Sequence, residues 1–151
     1  PFYIYKFRTM VTNAENSGPQ LCNNATDIRL TQAGRWMRRY HLDELPQFWN
    51  VLKGEMSFVG PRPERPYYID QIMERDSRYQ FLYQIRPGIT SYATIYNGYT
   101  DTMEKMLRRL EMDLNYLKHR SWWQDLKILS ITFYKIVTKT INNRASIFTE
   151  M

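Results

Sequence analysis

Three short stretches gather the side chains able to work on a phosphorylated substrate. Lys6 and Arg8 lie two residues apart in KFRTM (6–10), so an extended backbone would turn both cations to one side. Arg38 stands five residues ahead of the Asp43-Glu44 pair inside LDELPQ (42–47). Arg62 is held between Pro61 and Pro63 in MSFVGPRP (56–63), where proline rings restrict the backbone on either side. Cations around paired carboxylates suit phosphoryl transfer. The cations neutralise the spreading charge, and a carboxylate can hold a metal or attack phosphorus. Mg²⁺ in particular takes one or two carboxylates together with substrate phosphates. Plainer uses exist for the same residues. Adjacent acids complement a helix N-terminus, Arg62 has Glu55 and Glu64 within reach in sequence, and Lys6 and Arg8 can simply coat a strand. Residue types and spacing alone stop at a basic α+β domain that handles phosphate.

Elements must bring these stretches together. Residues 2–9 alternate apolar and polar groups and predict a strand, and 11–26 predict a loop rich in Asn. A basic helix is expected over 31–40. A second helix enters at Pro46, stops at Gly54, and is expected to bury Leu45, Phe48, Trp49 and Leu52. A short strand at 56–59, a helix over 66–84 and a turn at 86–88 follow. From 102 to 117, Met103, Met106, Leu107, Leu110, Leu114 and Leu117 share one face, with Asp101 and Glu104 making a capping-box start. These elements predict a single α+β domain over 1–151, mostly helical with a few short strands.

Residues 118–144 carry six basic side chains against one acid, Asp125. On a helix, Trp122, Trp123, Leu126, Leu129, Phe133, Ile136 and Val137 share one side, and Lys127, Lys135 and Lys139 the other. That composition suits an interfacial helix lying on a membrane, or equally a surface helix with its apolar side on the core.

Composition narrows the function classes. The 151 residues hold 21 Lys+Arg against 15 Asp+Glu, for a net charge of +6. A surface of that sign favours nucleic acid, anionic lipid or phosphorylated small molecules. Arg outnumbers Lys by 14 to 7, which leans toward bidentate phosphate binding. One cysteine, Cys22, excludes an internal disulfide. Two isolated histidines, His41 and His119, argue against zinc. No apolar run reaches 18 residues, so no membrane-spanning helix is expected within the sequence. The sequence opens at Pro1 rather than Met, and further N-terminal sequence is expected.

KFRTM (6–10), LDELPQ (42–47), NVLKG (50–54), MSFVGPRP (56–63), RPGIT (86–90) and the Asp113-Leu114-x-Tyr116 string follow one another in order. The series resembles the bacterial sugar transferases, or monotopic phosphoglycosyl transferases, from residue 1 to about 138. The resemblance implies transfer of a sugar 1-phosphate from a UDP-sugar to undecaprenyl phosphate with release of UMP. This would be the first membrane step of exopolysaccharide, capsule, O-antigen or glycoconjugate synthesis. It implies Asp43 as nucleophile, Asp43 and Glu44 as catalytic pair and Mg²⁺ ligands, and Lys6, Arg8, Arg38, Arg62 and Arg86 as phosphate-binding residues. Asn97, in a segment that departs from the family pattern and carries Tyr99 where an arginine often stands, is expected near nucleotide or sugar. His41, beside the pair, is given a local structural role rather than a proton shuttle's. The implied site of action is the cytoplasmic face of the bacterial inner membrane, through an N-terminal hydrophobic segment that family members carry. Partners are the donor, the polyprenyl acceptor and the membrane surface, with no nucleic acid. A homodimer stays open. The competing reading is a non-enzymatic basic module that binds membranes or nucleic acid, and a third is a Mg²⁺ phosphotransferase with a soluble acceptor.

Overall fold

Thr31 ends an extended stretch and caps the first helix, its hydroxyl accepting from the Gly34 amide at 2.9 Å. That helix, α1, runs Gln32–Arg39 in a computed structural model that describes residues 2–16, 18–21, 27–98 and 100–149, with side chains to residue 138. Helix α2 covers Gln47–Leu52, α3 Pro66–Arg75, α4 Tyr92–Tyr96, α5 Met103–His119 and α6 Trp122–Thr149. Strands β1 (Ser57–Val59) and β2 (Gly88–Thr90) pair in parallel, Ser57 opposite Gly88 and Val59 opposite Thr90. A Cβ on Gly88 would come within 2.1 Å of the Gly60 amide nitrogen, so glycine is required for this approach. The expected mostly helical α+β domain is what the chain forms. Parts of the 11–26 loop, with Cys22, and Tyr99 lie outside the described residues, as do the side chains of Lys139 and Arg144.

Two apolar clusters hold the elements in place. Tyr68, Ile72, Tyr79, Leu82, Met106, Leu110 and Leu114 join α3, the following 3-10 segment and α5. Val59, Ile95, Tyr116 and Ile128 join β1, α4, α5 and α6. Helix α5 serves both, so the stripe of Met106, Leu110 and Leu114 faces inward as expected. Its cap is Thr102, which accepts from the Lys105 amide, whereas Asp101 instead pairs with the Lys105 ammonium at 2.6 Å. The predicted 66–84 helix breaks at Asp76. That residue is extended, and its carboxylate accepts from the Arg78 amide and starts the 3-10 segment Ser77–Gln84.

Two expectations reverse. Residues 2–9 form no strand: Thr9 accepts from the Thr31 amide beside the isolated Met10–Leu30 bridge, but the hydrogen bonds before it go to unlike partners rather than to a neighbouring strand. The Tyr5 amide donates to Asn50 Oδ1, the Asn50 amide group to the Tyr3 carbonyl, and the Phe7 amide to the Asp43 carbonyl. Helix α2 is turned inside out relative to its hydrophobicity. Leu45, Phe48, Trp49 and Leu52 do share a face, but it is the outer one, Leu52 being 77% exposed and Trp49 56%. Gln47 and Asn50 are buried instead, Asn50 fully, because it ties the 3–5 stretch to Glu55.

Among its described side chains, helix α6 meets the body at Asp125, Ile128, Ile131, Thr132 and Lys135. Ile128 is buried, Thr132 shares a hydroxyl hydrogen bond with Thr90 (2.8 Å), and Lys135 donates to the Ile95 carbonyl at 2.6 Å. Its aromatic side does not sit on the core: Trp123 is 67% and Phe133 71% exposed. No described helix is long and apolar enough to cross a membrane.

Candidate active site

Gly34 sits where α1 rests on the 6–10 stretch, and a Cβ there would lie 2.0 Å from the Thr9 carbonyl oxygen. This contact lets the α1 C-terminal turn reach across, so Arg38 Nε donates to Thr9 Oγ1 at 2.9 Å. After α1 the chain must reverse within a few residues. His41 supplies the reversal with a left-handed backbone (φ 56°), an uncommon state for a non-glycine residue, and a 3-10 turn at Leu42–Glu44 follows. The structural role expected for His41 is consistent with this geometry. Asp43 and Glu44 emerge from the turn beside the 6–10 stretch, whose Phe7 amide donates to the Asp43 carbonyl at 3.0 Å.

The two carboxylates are treated differently. Glu44 Oε1 accepts from Lys6 Nζ and from Arg62 Nη2, both at 2.9 Å. Burial pushes the Glu44 carboxyl up, but the charges of Arg62 and Lys6 and their hydrogen bonds outweigh it and hold it at about 2. Asp43 is 8% exposed, and among the described residues no hydrogen bond or ion pair engages its carboxylate. Its charge is felt by Arg62 nearby.

Both carboxylates line a cavity of about 880 Å³, together with Lys6, Arg8, Arg38 and Arg62. The three stretches thus converge on one opening, and six of the predicted residues meet there. Two do not. The Arg86 guanidinium lies beside Gly54, outside the lining. Asn97 spends its amide on the Lys105 carbonyl (2.8 Å), fastening the turn after α4 to α5. Its neighbours Thr94 and Gly98 line the cavity instead.

A cavity of this volume fits a nucleotide-sized ligand, and its carboxylate pair ringed by cations fits a phosphorylated one. Comparison of the sequence decides the family: the bacterial sugar transferase model matches residues 1–139. The chain belongs to that family. It is 44% identical over 137 residues to a UDP-glucose:undecaprenyl-phosphate glucose-1-phosphate transferase of Klebsiella pneumoniae, covering 89% of this chain and 29% of that protein. It is 40% identical over 137 residues to a UDP-N-acetylgalactosamine-undecaprenyl-phosphate N-acetylgalactosaminephosphotransferase of Aeromonas hydrophila, covering 91% and 32%. A Caulobacter vibrioides UDP-glucose:undecaprenyl-phosphate glucose-1-phosphate transferase is 40% identical over 141 residues, covering 91% and 52%. The chain therefore spans between 29% and 52% of these relatives' length.

This sugar transferase chain also places residues at the cavity that its motifs did not single out. Glu15 and Arg65 line it and pair twofold at 2.8 and 2.9 Å, fastening the 11–16 turn to the start of α3. Their spacing of 50 residues left no sequence signal. Arg109 lines it from α5. Its signal was available, since 109, 113 and 116 follow helical spacing beside the apolar stripe.

The residues present fit a Mg²⁺ ion in one way. No described group of three or more carboxylate, histidine or cysteine side chains could cage a metal, so an all-protein site is absent among the described residues. Glu44 Oε1 is already committed to two cations. The unengaged Asp43 carboxylate, with Glu44 lining the same cavity, matches the sparse donor set that Mg²⁺ accepts when a substrate's phosphates complete it.

Proposed function

We propose that this sugar transferase chain moves a sugar 1-phosphate from a UDP-sugar to undecaprenyl phosphate, through a covalent phospho-sugar intermediate on Asp43. The observation that carries the reading is the unequal use of two adjacent carboxylates. Glu44 is clamped by Lys6 and Arg62 and so is a poor nucleophile, while Asp43 is buried on the cavity wall with its oxygens uncommitted.

In the first step an Asp43 carboxylate oxygen attacks the β-phosphorus of the donor. The bond from that phosphorus to the bridging oxygen breaks, and UMP leaves with the electron pair. In the second, a phosphate oxygen of undecaprenyl phosphate attacks the same phosphorus. The acyl-phosphate bond breaks, the Asp43 carboxylate is restored, and the polyprenyl-diphosphate sugar departs. Neither step requires a proton from the protein. Dividing the transfer lets a water-soluble donor and a lipid acceptor use one site in turn. Arg8, Arg38 and Arg62 bind and orient the phosphates, and Glu44 holds Lys6 and Arg62 in place without neutralising the whole cavity. Mg²⁺ bound at Asp43 and Glu44 would supply further neutralisation of the diphosphate.

The outer face of α2 and the aromatic side of α6 support a membrane-surface partner. A basic helix with Trp and Phe outward is composed to lie in the headgroup region. The proposed place is the cytoplasmic face of the bacterial inner membrane, at the first membrane step of polysaccharide or glycoconjugate assembly.

The test is UMP release from a panel of UDP-sugars with undecaprenyl phosphate and Mg²⁺. Asp43→Asn is expected to abolish it, and wild-type rates in Asp43→Asn would remove the nucleophile assignment. Sustained turnover with water or a soluble acceptor in place of the polyprenyl phosphate would favour a different phosphotransferase. Membrane or DNA binding with no UMP released from any donor would favour a binding module.

A further inference from the structure

Arg109 is buried in the middle of α5, 7% exposed, where the helix would otherwise present an apolar residue to the interior. Its guanidinium is divided between two segments. Nη1 donates to Glu64 Oε1, and Nη2 donates to Thr100 Oγ1. Nε has no partner, and neither has Oδ1 of Asp113, one turn along and 2% exposed. The fork of Arg109 is thus spent on Thr100, which lines the cavity, and on Glu64, which stands between the lining residues Arg62 and Arg65, rather than on its own helix.

Glu64 is separated from Arg62 only by Pro63, whose ring fixes φ. Holding Glu64 therefore restricts where the backbone of Arg62 can lie. Arg62 in turn donates to Glu44 at 2.9 Å, next to Asp43. Thr100 lines the cavity from another segment, between Gly98 (φ 64°) and the Thr102 cap of α5. A single side chain therefore joins the segment that carries Arg62 to the segment that carries Thr94, Gly98 and Thr100.

Stability does not account for this arrangement. A buried ion pair rarely outperforms an apolar residue of equal volume, since desolvation of both charges offsets their attraction. What such a pair does well is fix geometry. We propose that Arg109 is a positioning residue that, through Glu64, sets the place of Arg62 over Glu44 and, through Thr100, fixes the second segment lining the cavity.

The kinetic part of the test rests on the transferase reading; the spectroscopic part does not. Arg109→Lys keeps the charge but loses the planar fork that holds both acceptors at once, and Arg109→Gln removes charge and fork together. Glu64→Gln breaks the link from the other side, and the exposed neighbour variant Arg108→Gln is the control. In ¹⁵N spectra of arginine side chains, the Arg62 Nε–H signal, assigned with Arg62→Lys, is expected to shift or broaden in Arg109→Lys, Arg109→Gln and Glu64→Gln. It is expected to stay in place in Arg108→Gln. An unmoved Arg62 signal in a folded Arg109 variant overturns the proposal.

In UMP-release assays, kcat is expected to fall about 10- to 100-fold in the Arg109 and Glu64 variants, the size of effect that small misplacement of a reacting group produces. KM for the donor should stay within about threefold, and the double variant should be no worse than either single one. A raised KM with kcat retained would put Arg109 on the substrate, and a lowered melting temperature with kcat unchanged would make it merely structural. Either result overturns the proposal. If Arg109→Gln does not fold, Arg109→Lys and Glu64→Gln carry the test. Absence of UMP release from the unaltered chain would sink the transferase reading alone, leaving the Arg62 signal to decide on Arg109.

Discussion

Two buried carboxyls in this molecule are pushed in opposite directions, and each leaves its own trace in pH dependence. Burial disfavours charge on Glu44, yet Arg62 and Lys6 hold its carboxyl at about 2, below the ordinary 4.5. The unfolded chain therefore binds the proton first as pH falls. Stability from this clamp is complete above about pH 4.5 and is lost progressively toward pH 2. Glu44→Gln should flatten the melting-temperature profile across that window; an acid limb as steep as the wild type's would count against the clamp. Asp113 goes the other way, raised to about 7 from 3.8 by burial, with Arg109 opposing the shift. The folded state holds this proton more tightly, so stability declines as pH rises from about 4 to 7 and then levels off. Asp113→Asn should gain on the wild type over that interval when melting temperatures are compared, and parallel profiles would contradict the assignment. Neither effect was legible in the sequence. Asp113 read only as part of the Asp113-Leu114-x-Tyr116 string, Arg109 was not singled out, and spacing grouped Glu44 with Lys6 and Arg62 without showing which cations it pairs with.

Helical periodicity says which residues share a face, but not which face meets the core. Leu45, Phe48, Trp49 and Leu52 were correctly grouped and wrongly buried, because the interior side of α2 is decided by Asn50 and its hydrogen bonds to Tyr3, Tyr5 and Glu55. The 2–9 stretch has the alternation of a strand, but an alternating pattern cannot supply the neighbouring strand that would complete it. By contrast, β1, the helix over 31–40 and the inward stripe of α5 were legible, since local chemistry alone determines them. The outward apolar sides of α2 and α6 predict membrane affinity. Trp123→Ser and Phe133→Ser should each weaken binding to vesicles containing anionic lipid by about tenfold, since burying such a side chain is worth roughly 1.5–3 kcal/mol. Unchanged vesicle co-sedimentation would place the membrane contact elsewhere. Gly34 tests the packing of α1 on the 6–10 stretch. Gly34→Ala forces a methyl onto the Thr9 carbonyl and should cost about 1–3 kcal/mol in denaturant melts. It should also lower UMP release by moving Arg38 off Thr9. A variant as stable and active as wild type would show that this contact does not fix Arg38.

At the scale of the whole molecule, the net charge of +6 is put to two separate uses. Lys6, Arg8, Arg38 and Arg62 collect around the cavity, while much of the remaining excess lies along the last third of the chain, beside exposed aromatic residues. Family membership was legible because its motifs are short, rich in Gly, Pro and charge, and ordered along the chain. The convergence of those motifs on one cavity was not, since it depends on the Gly34 contact and the His41 reversal. The measurement that bears most directly on the role of Asp43 is a single turnover with UDP-sugar and Mg²⁺ and no lipid acceptor, followed by mass spectrometry of the chain. A burst of UMP approaching one per chain is predicted, with a phospho-sugar adduct mapped to Asp43, absent in Asp43→Asn, and discharged on adding undecaprenyl phosphate. UMP released only when the acceptor is present, with the chain never modified, would contradict the covalent route.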